Sequence, residues 1–455
     1  MGNNRGGSAR SSDESFVMKE EQRGRVVPFY NRNQLRTRMN LWNETKSIPI
    51  SRAMIWAAYK HVKSNKGSAG IDELGWAEFE SSRSKYLYKL WNRMSSGSYF
   101  PPPLKEVEIP KKDGSMRKLG IPTIIDRIGQ QVIKNYVEPR FESLFSNNSY
   151  GYRPDRSAHQ ALHEVQQNCW YNDWVIDLDI KGFFDNIDHE KLMLAVRKHV
   201  SEKWVCMYIV RWLNMPIQKK DGELVEKQGQ GTPQGGVISP LLANLFLHYA
   251  FDKWLENLNS GVKFVRYADD AIIHCKSKRQ AEFILHKLHL RMSECNLMLH
   301  PEKTKLVYCR DYRRQEKHKN VKFDFLGFSF QPRTSKSPKT GKLFLGYGCA
   351  ISISSCKKIG EKIAELIEDS KTCKSIVGIA EKLNPVIRGW VNYYGKYRLW
   401  ELHKVFRMLH SRLVRWARRK YKRYKTSIRR GYEWLKRMKK QFPYLFYHWE
   451  LSFSI

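Results

Sequence analysis

Residues 263–275 read KFVRYADDAIIHC, two strand-like segments on either side of a pair of adjacent carboxylates. Apolar, β-branched and aromatic side chains fill 263–267 and 271–275, a composition typical of β-strands. Asp269 and Asp270 lie where the chain must turn between the two segments. The pattern predicts a β-hairpin that presents two carboxylates at its tip.

A second acidic segment precedes this hairpin. Residues 174–180 are expected to form a strand, and the segment 175–184 reads VIDLDIKGFF, in which Asp177 and Asp179 share one strand face. Nucleotidyl transfer uses two divalent cations roughly 3.5–4 Å apart, and the carboxylates that hold them converge from separate chain segments. Because oxygen ligands of this kind suit Mg²⁺, the two acidic segments together predict a magnesium-dependent site.

A glycine-rich segment lies between the two acidic ones. Residues 231–244 read GTPQGGVISPLLAN, a turn that carries the polar side chain of Gln234 and is followed by a helix. A Tyr-x-Asp-Asp tetrapeptide alone is a weak signal. The three segments in this order, however, resemble the palm of a reverse transcriptase. In that resemblance residues 267–270 are the family's signature turn and residues 234–240 its nucleotide-proximal motif.

The resemblance extends over almost the whole chain, and it points to the reverse transcriptase/maturases encoded within bacterial group II introns. The matching stretches are NKGSAGID (65–72), the hairpin 109–121 followed by Pro122, SYGYRP (149–154), FLGF (325–328) and GWVNYY (389–394). Many relatives end in a nuclease domain rich in His, Asn and paired Cys. Such a domain is not recognisable before Ile455, so we expect the endonuclease-lacking type.

The resemblance implies an α+β fold of the right-hand polymerase kind. Fingers and a palm with an antiparallel sheet are followed by an α-helical thumb and a basic C-terminal helical region. The implied domains are a basic, flexible N-terminal extension (1–45), fingers and palm (46–332), a maturase thumb (333–412) and a basic DNA-binding region (413–455). The apolar pattern beyond Pro332 predicts helices directly after the palm.

Site residues are also implied by the resemblance, position by position. Asp179, Asp269 and Asp270 become the catalytic carboxylates, and Asp179 and Asp269 hold two Mg²⁺ ions, which Mn²⁺ can replace. Lys111 and Arg117 on the fingers hairpin become the triphosphate-binding pair, a role that suits ammonium and guanidinium donors.

Further roles come from the same comparison of positions. Phe184 is expected below the sugar of the incoming dNTP, and Gln234 is expected to contact that nucleotide. Lys303 lies where polymerases often place a cation near the leaving pyrophosphate. The primer grip is expected at Phe325, Leu326, Gly327 and Phe328. Nucleic-acid binding is expected at Arg415, Arg418, Arg419, Lys420, Lys422 and Arg423.

Structural interpretations of the same residues stay open. Lys111 and Arg117 would then be charges on a solvated hairpin, Phe184 a core residue, Gln234 a hydrogen-bonding group at the start of a helix and Lys303 a surface lysine. We interpret Asp177 as a structural neighbour of the metal site. Asp185 and Asp188 are interpreted as caps of the following helix rather than as metal ligands.

Composition agrees with a nucleic-acid partner. The 455 residues include 81 Lys or Arg against 45 Asp or Glu, a formal net charge of +36, and 41% are hydrophobic. A folded protein with so one-sided a charge repels itself unless a polyanion neutralises it. The charge is densest between Gly395 and Lys440, where eighteen Lys or Arg face Glu401 and Glu433.

The sequence also bears on location and redox state. No apolar run of 18 residues and no signal peptide is visible, which predicts a soluble bacterial protein of the cytoplasm, associated with the nucleoid when bound to DNA, and no membrane partner. The eight cysteines are scattered without a C-x-x-C pair, so we expect reduced thiols.

The leading functional hypothesis is an RNA-directed DNA polymerase that also binds its host group II intron RNA. It would assist splicing and copy the intron at a DNA target, with structured intron RNA, a DNA primer and dNTPs as partners; a homodimer stays open. One alternative is a group II-like reverse transcriptase of phage defence, DNA repair or CRISPR-linked processes. Another is an RNA-binding splicing factor without polymerase activity, which the presence of all three carboxylates disfavours.

Overall fold

The structure, a computed structural model, describes residues 46–110, 116–258, 260–337, 339–368, 375–451 and 453. The predicted N-terminal extension (1–45) and the tip of the predicted fingers hairpin (111–115), which contains Lys111, lie outside the described residues. The chain divides into two compact units. The first contains the described residues up to 100 together with Thr123–Val132, and the second contains those of Pro101–Pro122 and from 133 onward.

Helices make up the first unit. They are α1 (Arg52–Ser64), α2 (Trp76–Ser81), α3 (Arg83–Ser95) and the beginning of α4 (Ile124–Glu142). Helix α1 begins where the Oγ of Ser51 accepts a hydrogen bond from the backbone N–H of Met54, which satisfies one of the free donors of the first turn. Phe79 and Trp91 are buried in the core of this unit.

The second unit contains β-strands and further helices. Its strands are β1 (Leu104–Pro110), β2 (Met116–Ile121), β3 (Trp174–Leu178), β4 (Ile217–Gln218), β5 (Leu224–Val225), β6 (Lys263–Tyr267), β7 (Asp270–Cys275), β8 (Lys305–Tyr308), β9 (Phe323–Phe325), β10 (Phe328–Lys336) and β11 (Leu343–Ile351). In the described part of the chain they form three sheets, with strand orders β2-β1-β4-β5, β6-β7-β3-β8 and β11-β10-β9. The predicted mixture of helices and antiparallel strands is confirmed.

The helices that lie wholly in this unit fall into two groups, one interspersed with the strands and one after the last strand. The first group is α5 (Ala158–Tyr171), α6 (His189–His199), α7 (Lys203–Leu213), α8 (Ser239–Leu247), α9 (Lys253–Asn257) and α10 (Lys278–Glu294). The second group is α11 (Ile353–Glu368), α12 (Ile376–Arg398), α13 (His403–Lys420), α14 (Ile428–Gln441) and α15 (Tyr447–Glu450). Within the described residues, no helix is both long and apolar enough to cross a membrane.

The sheet β6-β7-β3-β8 carries the predicted acidic segments. Its two inner strands, β7 and β3, pair antiparallel with each other and with their outer neighbours. Helix α5 covers one face of this sheet: Leu162 and Val165 pack against Val175 and Ile272 in one hydrophobic core. The predicted strands at 174–180 and 263–275 are confirmed, with β3 ending two residues earlier than expected.

The prediction of helices directly beyond Pro332 is wrong. Strand β10 continues through Pro332 to Lys336 and pairs antiparallel with β11, so helices begin only at Ile353. The glycines of 343–351 (LFLGYGCAI) mask the alternation of this strand, because glycine contributes no side chain to either face. The cross-strand partners that fix it are up to twenty-three residues apart in the chain.

The C-terminal helices share one hydrophobic core. Leu409 and Leu413 of α13 pack with Trp434 and Leu435 of α14 and with Ile363 of α11. The predicted domain borders fall inside regular elements. Strand β10 crosses the border at 332/333, and helix α13 crosses the border at 412/413. The basic region at 413–455 is therefore built into the core of the helical region rather than appended to it.

Candidate active site

The ends of two paired strands bring the predicted carboxylates together. Strands β3 and β7 pair with Leu178 opposite Ala271. Asp179 and Asp270 therefore occupy the next position of the same antiparallel register, where side chains of paired residues are neighbours. Asp269 lies in the turn between β6 and β7. The fold thus gathers at one end of the sheet three acids that are up to 91 residues apart in the sequence.

These acids interact electrostatically. Burial raises the pKa of Asp269, and the charge of Asp179 raises it as well. Burial raises the pKa of Asp177 to about 7, with contributions from Asp270 and Asp179. The carboxylates are thus close enough to oppose one another's ionisation. A cation between them would relieve this repulsion.

The carboxylates fit a Mg²⁺ site of the kind that also uses substrate phosphates as ligands. Among the described residues, no group of three or more His, Cys, Asp or Glu side chains forms a site that could hold a metal ion by itself. Mg²⁺ in polymerase-type sites is bound by one or two carboxylates, and water and substrate phosphates complete its shell. Asp179 and Asp269 offer such a partial set.

A buried arginine, which the sequence did not single out, supports the acidic turn. Arg266 is 1% exposed and donates to both carboxylate oxygens of Asp252 at 2.7 and 2.6 Å. Its Nη1 donates to the backbone oxygen of Ala268 and to the Oδ1 of Asn244, both at 2.9 Å. Ala268 has a φ of 58°, a left-handed conformation that costs energy for a residue with a Cβ. The Arg266–Asp252 pair therefore holds a strained turn in place.

A second support comes from residues 148–151. Their backbone runs beside β6, with Tyr150 N–H donating to Arg266 O and Arg266 N–H donating to Asn148 O, both at 2.8 Å. A Cβ on Gly151 would lie 2.4 Å from the backbone nitrogen of Ala268. Glycine is thus required where this segment touches the acidic turn. The stretch SYGYRP, noticed only as a resemblance, has this packing role.

Lys303 lies beside the predicted metal ligand Asp179. Its Nζ is 3.6 Å from the Oδ2 of Asp179, and the lysine side chain remains 56% exposed. The backbone of the same loop grips the strand end, since His300 N–H donates to Asp179 O at 2.8 Å. An exposed cation next to the carboxylates can meet an anionic group that approaches them.

The residues predicted to contact the nucleotide lie in two hydrogen-bonded segments, the turn Phe183–Asp185 and the glycine-rich segment around Gln234. Phe184 and Asp185 lie in the 3₁₀ turn Phe183–Asp185. Thr232 N–H donates to Phe184 O at 2.7 Å, and the Nε2 of Gln234 donates to the Oδ1 of Asp185 at 3.1 Å. The phenyl ring of Phe184 is half-buried. Hydrogen bonds therefore connect the glycine-rich segment to the segment that follows β3.

Two of the predicted helix caps behave differently. Asp188 caps α6, because its Oδ1 accepts from the backbone N–H of Lys191 at 2.9 Å, and this prediction is confirmed. Asp185 does not cap that helix, so the interpretation of Asp185 as a cap is wrong. Its carboxylate instead accepts from Gln234, a contact between segments that local sequence patterns do not reveal.

The predicted fingers hairpin contacts the glycine-rich segment around Gln234. Strands β1 and β2 pair antiparallel as predicted, with Ile109 opposite Arg117. At the base of the hairpin, Gly120 N–H donates to Gln234 O at 2.9 Å. The positive charge of Arg117 opposes part of the rise in the pKa of Asp269 that burial causes, which indicates that the exposed guanidinium lies within electrostatic reach of the carboxylates. Its predicted companion Lys111 lies outside the described residues.

The predicted primer grip is the turn between β9 and β10. Leu326 and Gly327 both have positive φ, of 49° and 81°. The side chains of Phe325 and Phe328 are 3% and 0% exposed, so they anchor the turn in the core and leave residues 326–327 at its tip. Helix α12 holds that tip, since Tyr393 Oη donates to Leu326 O at 2.9 Å.

The basic residues predicted to bind nucleic acid lie on α13 and in the turn that follows it. One face of α13 is buried in the helical core, and the opposite face carries cations. All of the predicted residues are exposed except Arg418, which is half-buried; the exposed ones are Arg415, Arg419, Lys420, Lys422 and Arg423. The neighbouring Trp416 and Trp434 are buried, so these aromatics stabilise the helical core instead of offering free faces.

Comparison with known families assigns two stretches of the chain. Residues 109–330 match the family described as reverse transcriptase (RNA-dependent DNA polymerase). Residues 356–434 match the family described as group II intron, maturase-specific domain. The first match contains the three carboxylates, Phe184 and Gln234. The second contains α12, α13 and the exposed cations of α13.

Individual relatives agree with the family matches. Protein YkfC of Escherichia coli (strain K12) is 33% identical over 288 residues, which cover 54% of this chain and 75% of YkfC. The group II intron-encoded protein LtrA of Lactococcus lactis subsp. cremoris is 28% identical over 430 residues, or 75% of this chain and 68% of LtrA. A 91 kDa protein in the cob intron of Schizosaccharomyces pombe is 27% identical over 427 residues, 77% of this chain and 50% of that protein. The chain belongs to the group II intron reverse transcriptase/maturase family.

Proposed function

We propose that Asp179, Asp269 and Asp270 form the site at which this reverse transcriptase extends a DNA primer on an RNA template. The observation that carries the proposal is the strand register, in which Leu178 pairs with Ala271, so that Asp179 and Asp270 follow at the same end of the sheet, beside the Asp269 turn. Asp179 and Asp269 would hold two Mg²⁺ ions, or Mn²⁺ in their place. When bound, these ions lower the pKa of the attacking 3′-hydroxyl and neutralise the charge of the leaving pyrophosphate.

The remaining residues of the site would bind and orient the nucleotide. Arg117 and Lys111 carry the charge that a triphosphate needs, and Arg117 already acts on Asp269 electrostatically. Phe184 would lie below the sugar, and Gln234 would contact the nucleotide. Lys303, 3.6 Å from Asp179, would meet the pyrophosphate.

Primer extension on an RNA template with Mg²⁺ tests the site. Asp269→Asn keeps the shape of the side chain but removes the charge that balances the cations, so we expect a loss of at least a hundredfold in rate. Asp221→Asn is the matched control, because Asp221 is an exposed acid in the turn between β4 and β5. Extension by Asp269→Asn at the wild-type rate would place the metal site elsewhere.

We further propose that the chain binds the RNA of its host group II intron, assists its splicing and copies it at a DNA target. The maturase-specific match over 356–434 supports this, and so does the exposed basic face of α13. We retain the functional division into fingers and palm, thumb and basic DNA-binding region as part of this proposal. The compact units of the fold have other borders.

A further inference from the structure

A patch of exposed rings lies outside the polymerase site, on the side of the second unit where α5 ends. We call it the aromatic patch; its members are the rings of Trp170, Tyr171, Tyr312 and Phe344, with the aliphatic side chain of Leu343 beside them. Tyr171 is 76% exposed and Tyr312 is 55% exposed. Clustered apolar groups that are left in water often mark a surface that another molecule covers.

Direct contacts join the three chain segments of the patch, and Tyr171 adjoins them as the chain neighbour of Trp170 at the end of α5. The rings of Tyr312 and Phe344 meet edge to face at 5.9 Å, and Tyr312 N–H donates to Leu345 O at 2.9 Å. Arg313 connects the third segment, because its guanidinium donates to Trp170 O at 2.7 Å and lies 5.5 Å from the centre of the Tyr312 ring.

The base beneath the patch is rigid. The indole N–H of Trp170 donates to the backbone oxygen of the buried Tyr347 at 2.9 Å. Arg314 is buried and donates to Cys169 O at 3.0 Å and to Asn172 O at 2.6 Å. The Trp170 ring and the backbone beside Tyr171 are therefore held in place before any partner binds, which lowers the entropy cost of binding.

Cations surround the patch. Six lysines of the adjoining loop 309–322 and hairpin 333–344 are exposed: Lys317, Lys319, Lys322, Lys336, Lys339 and Lys342. Of the two acids in that loop, Asp311 pairs with Arg314 at 2.6 Å, and Glu316 is hydrogen-bonded to the His318 ring at 2.8 Å. The hairpin segment 333–344 contains no acid. The surroundings of the exposed rings are thus strongly positive.

This combination discriminates between partners. The cores of protein interfaces are depleted in lysine, and a second copy of this chain would bring equal positive charge against the patch. Bases within a duplex are stacked on one another, so their faces cannot reach exposed rings. Unpaired nucleotides supply both what rings bind and what lysines bind, a π face and a phosphate.

We propose that the aromatic patch binds unpaired nucleotides of RNA, apart from the template in the polymerase site. The choice of RNA rests on the proposed function, in which the chain holds a folded intron RNA. Bases splayed from a loop or a bulge stack on Tyr171 and Tyr312, and the surrounding lysines contact their phosphates. The patch would then add an anchor for the RNA to the basic face of α13.

The experiment uses full-length protein saturated with a recessed DNA primer on an RNA template, so that the polymerase site is occupied. A fluorescein-labelled, unstructured RNA 12-mer is then titrated by anisotropy. Tyr171→Ala with Tyr312→Ala should weaken binding of the 12-mer at least tenfold, whereas Tyr171→Phe with Tyr312→Phe should stay within twofold, because stacking needs the ring and not the hydroxyl.

Controls separate the possible outcomes. Phe283→Ala removes an exposed ring near Lys287 outside the patch and should leave binding unchanged. The proposal is overturned if the double alanine variant binds like wild type or if the phenylalanine pair loses as much as the alanine pair. A wild-type dimer that the alanine pair dissociates in sedimentation would also overturn it. Primer extension in the same samples tests the polymerase separately, since its failure would leave the binding of the 12-mer unaffected.

Discussion

The side-chain amide of Gln234 has a fixed orientation because of Asp185. A carboxylate accepts hydrogen bonds only, so the NH₂ group of the amide faces Asp185 at 3.1 Å, and the amide oxygen is the atom that we expect to accept from the proposed nucleotide. Lys227 reinforces the segment from the other side, with its Nζ donating to Gly231 O at 3.2 Å. If Gln234 contacts the nucleotide as proposed, Asp185 acts as a positioning residue and does not itself need to touch substrate.

Asp185→Ala should raise the KM for dNTP about tenfold and leave kcat within a factor of two. A hydrogen bond to a charged group contributes about 1.5–3 kcal/mol, and about 1.4 kcal/mol corresponds to a factor of ten. Steady-state kinetics of primer extension measure both constants. Asp188→Ala removes the helix cap and the hydrogen bond from Asn296, neither of which involves Gln234, and should leave KM unchanged.

The double variant with Gln234→Ala distinguishes positioning from general damage. If Asp185 acts through Gln234, adding Asp185→Ala to Gln234→Ala should raise KM no further. Additive effects in this cycle would contradict the positioning role.

We expect Phe184 to select deoxyribonucleotides over ribonucleotides. A ring below the sugar leaves no room for a 2′-hydroxyl, so Phe184→Val should raise the incorporation of ribonucleotides at least tenfold while dNTP use changes little. The ratio of kcat/KM for rNTP and dNTP measures this. An unchanged ratio would return Phe184 to a purely structural role beside Phe183, whose ring it contacts at 5.4 Å.

At the scale of elements, the active-site hairpin depends on the close approach of another segment. Gly151→Ala should reduce polymerase activity at least a hundredfold, because the new Cβ would lie 2.4 Å from the backbone of the acidic turn and would displace Asp269. Overpacking of this kind also costs about 1–3 kcal/mol of stability. Primer extension and thermal unfolding measure the two effects.

Gly389→Ala is the matched control for this substitution. Gly389 is an exposed position of α12, and a Cβ added there would meet no heavy atom within 4 Å. Alanine should therefore leave activity unchanged and even favour the helix. Equal activity of Gly151→Ala and wild type would show that the acidic turn tolerates a shift.

Local patterns predicted the elements that carry the acids. Alternating apolar residues and the Asp pair are sufficient for β6, β7 and the turn between them, since hairpins form from near neighbours. The Arg266–Asp252 support and the Asp185–Gln234 contact could not be predicted in this way. Their partners are 14 and 49 residues apart, and only the folded chain brings them together.

For the whole molecule, charge dominates binding. Exposed cations of α13 and the turn that follows it can be removed without disturbing the helical core, whereas truncation near Gly395 would remove Leu409, Leu413 and Trp434 from it. Changing Arg415, Arg419, Lys422 and Arg423 together to alanine should weaken nucleic-acid binding at low salt. Each lost phosphate contact should reduce the slope of log K against log salt by about 0.7–0.9.

Filter binding between about 50 and 200 mM salt, the range over which such contacts change affinity strongly, measures that slope. The matched control is Lys198→Ala with Lys276→Ala, two exposed lysines outside the C-terminal helices. Identical slopes for the fourfold variant and wild type would contradict a role of this basic face in binding phosphates.

One chain is thus expected to carry two separable activities. Polymerisation needs the carboxylates at the end of the palm sheet, whereas support of intron splicing needs basic and aromatic surfaces outside it. Removing negative charge at the metal site does not weaken a polyanion's attraction to the protein. Asp269→Ala with Asp270→Ala should therefore end cDNA synthesis and spare the splicing of the RNA that encodes the protein.

The most direct test measures both products from that RNA, spliced exons and cDNA, at physiological Mg²⁺ with wild-type protein, with the double variant and without protein. We expect wild type to accelerate splicing and make cDNA, and the double variant to accelerate splicing to the same extent and make no cDNA. cDNA synthesis by the double variant would contradict the assigned site. A failure of both proteins to accelerate splicing would contradict the maturase role and favour a polymerase of defence or repair.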